Sequence, residues 1–270
     1  MGKKDFNVSV LINNPSVDLP LSGMSLFLDL DGTLAPIAAT PDAVAPDVEL
    51  NTRLRDLTEA LDGRLAVISG RPIRDVDRIL EGRVVAVAGS HGLQRRDAEL
   101  DMLVAPTHVG RDQAIREVQR FVARVAGTVA EIKPHGVALH YRNRPDCAQE
   151  AETFAIELAR RTALKLQPGS MVCELLTPGA DKGAAVRAFM AEPPFAGTLA
   201  VYVGDDLTDE DGFAAAHALG GIGVLVGPLR PTAAHFRLPD VVAVQNWLAA
   251  SLRLGRVRLE VPIESSYRRF

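Results

Sequence analysis

"LFLDLDGTLA", residues 26–35, runs an unbroken apolar stretch into two aspartates one residue apart, Asp29 and Asp31, with Gly32 and Thr33 directly behind them. An apolar run of this strength reads as a strand covered on both faces, as in parallel sheets. Carboxylates at the end of such a strand are costly unless solvent, a proton or a cation compensates them. If strand geometry persists, alternation puts both acids on one side of the sheet. They also stand at a strand's carboxyl end, where open α/β sheets bind ligands. Three readings remain open on this stretch alone. The strand ends in an Asx-type turn with both acids solvated, or it opens a calcium loop that lacks the further acids of an EF-hand, or the pair shares a hard cation such as Mg2+.

Four more apolar runs end in the same way: "RLAVISG" (64–70), "VVAVAGSHG" (84–92), "LAVYVGDD" (199–206) and "IGVLVG" (222–227). Helical patterns separate them. Residues 47–61 place Leu50, Leu54, Leu57 and Leu61 at three- and four-residue spacing, and 72–80 opens on Pro72, expected as a first helical residue. Two more helices are expected over 181–192 and 208–220, the latter with Thr208 as its cap before an acidic first turn. Strand alternating with helix predicts an α/β fold with an open, Rossmann-like parallel sheet.

The middle of the chain breaks this rhythm. From 107 to 178 the order reads helix, strand, strand, helix, strand, strand, with Gly136 and Pro168-Gly169 as turns or breaks. That pattern predicts a second, smaller α/β domain, an antiparallel sheet with two helices, inserted into the first. The expected division is an N-terminal extension (1–24), a discontinuous core (25–106 and 179–250), the insertion (107–178) and a C-terminal tail (251–270). The insertion holds ten Lys/Arg against eight Asp/Glu, while the rest of the chain holds 20 against 26. A mildly basic insertion beside an acidic remainder suits an anionic small-molecule substrate.

Composition narrows the classes further. The chain is 47% hydrophobic and 24% charged with a net charge of −4, which gives no case for nucleic-acid or membrane binding. The N-terminus has no sustained apolar segment of the signal-peptide kind, and no run approaches membrane-span length. The two cysteines, Cys147 and Cys173, lack metal-ligand spacing and read as buried hydrophobes of a reducing compartment, so a cytoplasmic location is expected. Oligomeric state is not legible.

The strand ends carry the chemistry. "VYVGDDLTDED" places Asp205 and Asp206 at a second strand terminus, with Asp209 close behind. "VISGR" offers the hydroxyl of Ser69, the amide of Gly70 and the guanidinium of Arg71. "ADKGAAV" puts Lys182 at a helix start, against the dipole, and charges set against local preference often have a function. Each has a plain structural alternative: a turn serine, capping acids, a surface lysine. Together they supply a nucleophile, metal ligands, a hydroxyl donor and a cation, the parts of a phosphoryl-transfer site.

"DLDGT", "SGR", "DKG" and "GDD", in this order, resemble the four motifs of the haloacid dehalogenase superfamily of aspartyl-phosphate phosphotransferases. "GSHG" (89–92), "EIKPHGVALHYR" (131–142), "CELLTPGADKG" (173–183) and "VGDDLTDEDGF" (203–213) narrow the resemblance to the trehalose-6-phosphate phosphatase family. The resemblance implies a haloacid-dehalogenase core with an inserted cap that opens and closes, and a Mg2+-dependent phosphatase acting on trehalose 6-phosphate. Asp29 would be the nucleophile and Asp31 the proton shuttle, with Ser69 and Lys182 on the phosphoryl oxygens. Mg2+ would be held by Asp29, the Asp31 backbone carbonyl and Asp205, with Asp206 and Asp209 ordering its waters or adding a ligand. Gly70, Arg71, His91, Glu131, Lys133, His140, Arg142 and Glu174 would line the substrate. By local pattern alone, Glu131, Lys133 and Glu174 are solvated strand residues and His91 is structural. Pro134 stands where the family often has Gly, and Gln94 where an acid is common, so no role is assigned to Gln94.

The rivals are a relative acting on another sugar phosphate, a phospho-signalling receiver and a non-catalytic sugar-phosphate sensor. A receiver orders its acids differently and carries no insertion. A sensor is expected to have lost Asp31 or a "GDD" acid, and this chain keeps them.

Overall fold

The computed structural model describes residues 16–38, 40, 43–169 and 171–268, so most of the expected N-terminal extension lies outside the described residues. The chain forms two compact units, one up to Val104 and from Asp181 onward, the other Ala105–Ala180. The larger unit begins with β1 (Val17–Pro20), β2 (Met24–Leu28), α1 (Val48–Ala60), β3 (Leu65–Ile68), α2 (Ile73–Leu80), β4 (Ala86–Gly89), β5 (Gln94–Arg96) and β6 (Met102–Val104). The smaller unit follows with α3 (Arg111–Arg124), β7 (Val129–Lys133), β8 (Gly136–His140), α4 (Ala148–Thr162), β9 (Lys165–Gly169) and β10 (Val172–Leu176). The larger unit resumes with α5 (Lys182–Met190), β11 (Leu199–Gly204), α6 (Glu210–Ala218), β12 (Ile222–Val226), β13 (Phe236–Leu238), α7 (Val241–Leu254) and β14 (Arg256–Leu259).

In the larger unit eight strands run in the order β13-β12-β11-β2-β3-β4-β5-β6, parallel from β13 to β4 and antiparallel beyond. The five apolar runs are its fully buried central strands, β2, β3, β4, β11 and β12. Alternation sorts their side chains between two layers. Leu26 and Leu28 join the core formed with α1, α2 and α7, whereas Phe27 packs with Phe189 of α5 and Phe213 of α6. The sheet grows from β2 toward β3 on one side and, later in the chain, toward β11 on the other. That switch point is where open α/β sheets form a ligand crevice. Register brings Val203 of β11 beside Leu28 of β2, so the two acid-bearing strand ends lie side by side.

Several local expectations are revised. Strand β2 stops at Leu28, and the amides of Leu34 and Ala35 both bond the Leu30 carbonyl, so strand alternation does not relate Asp29 to Asp31. Pro72 is the cap of α2 rather than its first helical residue. Asp206, not Thr208, caps the turn entering α6: its carboxylate and that of Asp209 each take the other's backbone amide. The terminal stretches are integrated where they are described, because β1 pairs antiparallel with β14 and α7 continues past position 250 to Leu254.

The smaller unit has the expected element order, its sheet running β7-β8-β10-β9 and antiparallel throughout. The turn between β7 and β8 is Pro134-His135, and Gly136 opens β8. Val137, Leu139, Tyr141, Cys173 and Leu175 turn one sheet face into a core with Ala114, Val118 and Phe121 of α3 and Ala155 and Leu158 of α4. Both cysteines are free and buried there. Among the described residues, no helix of the chain is long and apolar enough to cross a membrane.

Candidate active site

Asp29 follows β2 and is 3% exposed, its amide bonded to the Val203 carbonyl of β11 at 2.9 Å. Lys182, the first residue of α5, is equally buried, and its Nζ donates to Asp29 Oδ1 at 2.8 Å and Asp209 Oδ1 at 2.7 Å. An ammonium at a helix N-terminus opposes the dipole, but Asp181 caps α5 and two carboxylates hold the charge. Burial works against the charged ammonium, yet Asp209 and Asp29 raise the Lys182 pKa above the ordinary lysine value.

Asp209 is fully buried and its two oxygens accept four donors: Lys182 Nζ, the Tyr202 hydroxyl at 2.6 Å, and the amides of Asp205 (3.1 Å) and Asp206 (2.9 Å). Its hydrogen-bonding capacity is therefore committed inside the protein. Asp205 differs: its Oδ1 is buried without a hydrogen-bond partner. Gly32 lets this carboxylate approach, since its φ of +80° suits glycine and a Cβ there would stand 2.1 Å from Asp205 Oδ2. Carboxylate oxygens of Asp29, Asp205 and Asp209 lie within 4.8 Å of one another.

Three carboxylates around one lysine leave surplus negative charge. Burial, then Asp209 and also Asp205, push the Asp29 pKa well above the carboxylate range, and Lys182 only partly offsets them. Burial, Asp209 and Asp206 raise Asp205 to about 6 against the pull of Lys182. An orphaned buried oxygen and two acids whose negative charge is disfavoured by their surroundings are what a hard, oxygen-seeking divalent cation relieves. The donor set therefore fits a metal such as Mg2+.

Asp31 sits at the next corner of the site. Its two oxygens accept Arg71 Nε at 2.6 Å and Nη2 at 2.7 Å. Ser69 is buried at the end of β3, and its Oγ accepts the Arg71 amide at 3.1 Å. Gly70 lies against the His91 ring, which a Cβ at position 70 would meet at 2.8 Å. Gln94 accepts the first helical amide of α2, that of Ile73, at 3.0 Å, a task an acid could also do.

The smaller unit carries its own polar group. Glu131 and Glu174 face Ala138 from either side, which puts them on one sheet face with Lys133 and His140. Lys133 Nζ donates to Glu174 Oε1 at 2.5 Å and stands 3.9 Å from Glu131, and His140 Nε2 lies 2.9 Å from Glu131 Oε2. The bond to His140, with Lys133 adding, lowers the Glu131 pKa against its partial burial. Gly136 and Ala138 contribute almost no side chain to this face, on which Glu131 is exposed and Lys133, His140 and Glu174 are half-buried. Arg142 is exposed beyond the end of β8. The structure thus gathers Asp29, Asp31, Ser69, Gly70, Arg71, His91, Lys182, Asp205 and Asp209 in the larger unit, and Glu131, Lys133, His140 and Glu174 in the smaller. Asp206 is exposed and contributes its backbone to the cluster.

Tyr202 escaped the sequence reading. In "LAVYVGDD" it passes for a core aromatic of an apolar strand, and only the fold shows its hydroxyl donating to Asp209. The position immediately before "VGDD" is the one local hint.

The chain matches the trehalose-phosphatase family model over residues 27–241. It is 38% identical over 225 residues to the trehalose-6-phosphate phosphatase of Escherichia coli (strain K12), covering 82% of this chain and 84% of that one. It is 37% identical over 233 residues to a probable trehalose-phosphate phosphatase of Sinorhizobium fredii, covering 85% and 88%. A solved structure described as a trehalose-6-phosphate phosphatase related protein superposes with a TM-score of 0.71 at 26% identity, over 86% of this chain and 98% of that one.

Proposed function

The chain belongs to the trehalose-phosphatase family with a haloacid-dehalogenase-like fold, and from that premise we propose that it hydrolyses trehalose 6-phosphate to trehalose and phosphate through an aspartyl phosphate on Asp29. The observation that carries the reading is the buried Asp29–Lys182 pair beside half-buried Asp205, with its orphaned oxygen, at the switch point of a parallel sheet.

In this mechanism an Asp29 oxygen attacks phosphorus as the bond to the sugar oxygen breaks. Asp31 gives the departing sugar oxygen its proton, then takes one from the water that hydrolyses the phosphoenzyme, a transfer worth about 10²–10⁴ in rate. Arg71 donates one N–H to each Asp31 oxygen and so holds the carboxyl in orientation for that transfer. Lys182 and the Ser69 hydroxyl bind phosphoryl oxygens as charge builds. Mg2+, held by Asp29, Asp205 and the Asp31 carbonyl, would supply charge neutralisation at the transferring phosphoryl group. Asp209, its acceptors committed, orients Lys182 and the Asp205–Asp206 amides. Glu131, Lys133 and Glu174, with His140 beside them, fit the hydroxyl groups of a sugar, so selectivity is assigned to the smaller unit and phosphoryl chemistry to the larger.

The test is phosphate release from a panel of trehalose, sucrose, glucose and mannose phosphates, with and without Mg2+. Preference for trehalose 6-phosphate and loss of turnover on chelation are expected. Equal low activity on every ester overturns the trehalose assignment.

A further inference from the structure

The loop between β12 and β13 returns a side chain to the acid cluster. Arg230 Nη2 donates to the carbonyl oxygens of Asp206 at 2.8 Å and Asp205 at 3.2 Å, while Nη1 pairs with Glu210, the first residue of α6. The second Glu210 oxygen accepts the amide of Ala233 at 2.7 Å. Loop, guanidinium, acid-bearing turn and helix start are thereby closed into one ring.

Asp205 is held through its backbone on both sides. Its amide bonds Asp209 and its carbonyl bonds Arg230, whereas its Oδ1 has no partner of its own. The direction of that carboxylate is therefore governed by its side-chain hydrogen bond to Asp29 and by the orientation of its two flanking peptides. Arg230 is suited to hold them, since a planar guanidinium loses little freedom per bond formed and can reach two carbonyls and a carboxylate at once. A lysine cannot span all three.

We propose that Arg230, clamped by Glu210, is a positioning residue that sets the aim of Asp205 and so the affinity of the acid cluster for a divalent cation. The inference rests on reading Asp29 and Asp205 as cation ligands. Partners that orient a ligand from behind typically change metal affinity about 10–100-fold when removed.

Calorimetric titration of Mg2+ into the metal-free full chain tests it, comparing wild type, Arg230→Lys, Arg230→Ala, Glu210→Gln and Asp205→Asn. Binding at least about tenfold weaker is expected for both Arg230 variants, with a smaller loss for Glu210→Gln and the largest for Asp205→Asn. Arg230→Lys should melt near wild type without metal, and saturating Mg2+ should return its kcat with KM for the sugar phosphate unchanged. A merely structural role would lower the metal-free melting temperature and leave the Mg2+ affinity alone. Arg230 variants that bind Mg2+ like wild type, while Asp205→Asn does not, overturn the clamp. If the wild type binds no Mg2+, the cation reading fails and the clamp with it.

Discussion

Arg71 grips Asp31 through both carboxylate oxygens, Nε to Oδ2 at 2.6 Å and Nη2 to Oδ1 at 2.7 Å. Asp29, two residues away, instead faces Lys182. Two chemically identical side chains thus meet different cations, and the division of labour proposed for them has a structural origin. Paired, bidentate hydrogen bonds fix Asp31 in orientation as well as in charge.

Asp31→Asn should lower steady-state phosphate release by about 10²–10⁴. With p-nitrophenyl phosphate, whose leaving group needs no proton, the same variant should still release a burst of one equivalent of nitrophenol before stalling at the phosphoenzyme. Rapid-quench or stopped-flow absorbance reads the burst. Its absence, with the fold intact, would remove Asp31 from the second step.

Asp29→Asn should abolish phosphate release with either ester, since no nucleophile remains, while circular dichroism stays that of wild type. Near-full turnover in this variant would refute the nucleophile assignment.

The acid cluster should make stability pH-dependent. Asp205, raised from 3.8 to about 6 by burial and its acidic neighbours, binds more protons folded than unfolded, and Asp29 is shifted the same way. The Asp205 contribution therefore falls as pH rises from about 4 through about 6, and that of Asp29 falls in the same direction. Mg2+ competes with those protons, so it should raise the melting temperature more at about pH 7.5 than at about pH 5. Asp205→Asn should flatten the difference. Equal Mg2+ shifts at both pH values in the wild type would count against the cation site.

Tyr202→Phe removes one donor from a buried carboxylate that accepts four, and hydrogen bonds to charged groups contribute about 1.5–3 kcal/mol. A loss of about 2 kcal/mol in urea unfolding is expected, with a several-fold drop in kcat as Asp209 loosens its hold on Lys182. An unchanged unfolding midpoint would show that the phenol contributes nothing to the network.

Lys133→Met should leave p-nitrophenyl phosphate turnover near wild type and raise KM for trehalose 6-phosphate by about 10–100-fold, the worth of a charged hydrogen bond. Equal loss on both esters would place Lys133 in the phosphoryl chemistry instead.

Much was legible in the chain because the signals are local. Five apolar runs ending in Gly, Ser or Asp read as parallel strands and are the buried centre of the sheet. Periodicity over 107–178 yielded the element order of the smaller unit. Strands β5, β6 and β13 escaped notice, being three residues each and mostly exposed or half-buried, without an apolar run to mark them. The β1–β14 ribbon escaped too, since it joins residues some 240 positions apart.

Sequence alone settled the α/β class, the insertion and the positions of acids, lysine and serine at strand and helix ends, since each follows from period, composition and motif order within short windows. Tertiary structure alone decided which of these groups meet. Lys182 lies between Asp29 and Asp209, Arg71 holds Asp31, Tyr202 turns from core aromatic into donor, and Arg230 ties down the turn bearing Asp205 and Asp206. The physical reason is that a buried charge is stabilised by its particular partners, and those come from strands and loops far apart in the chain.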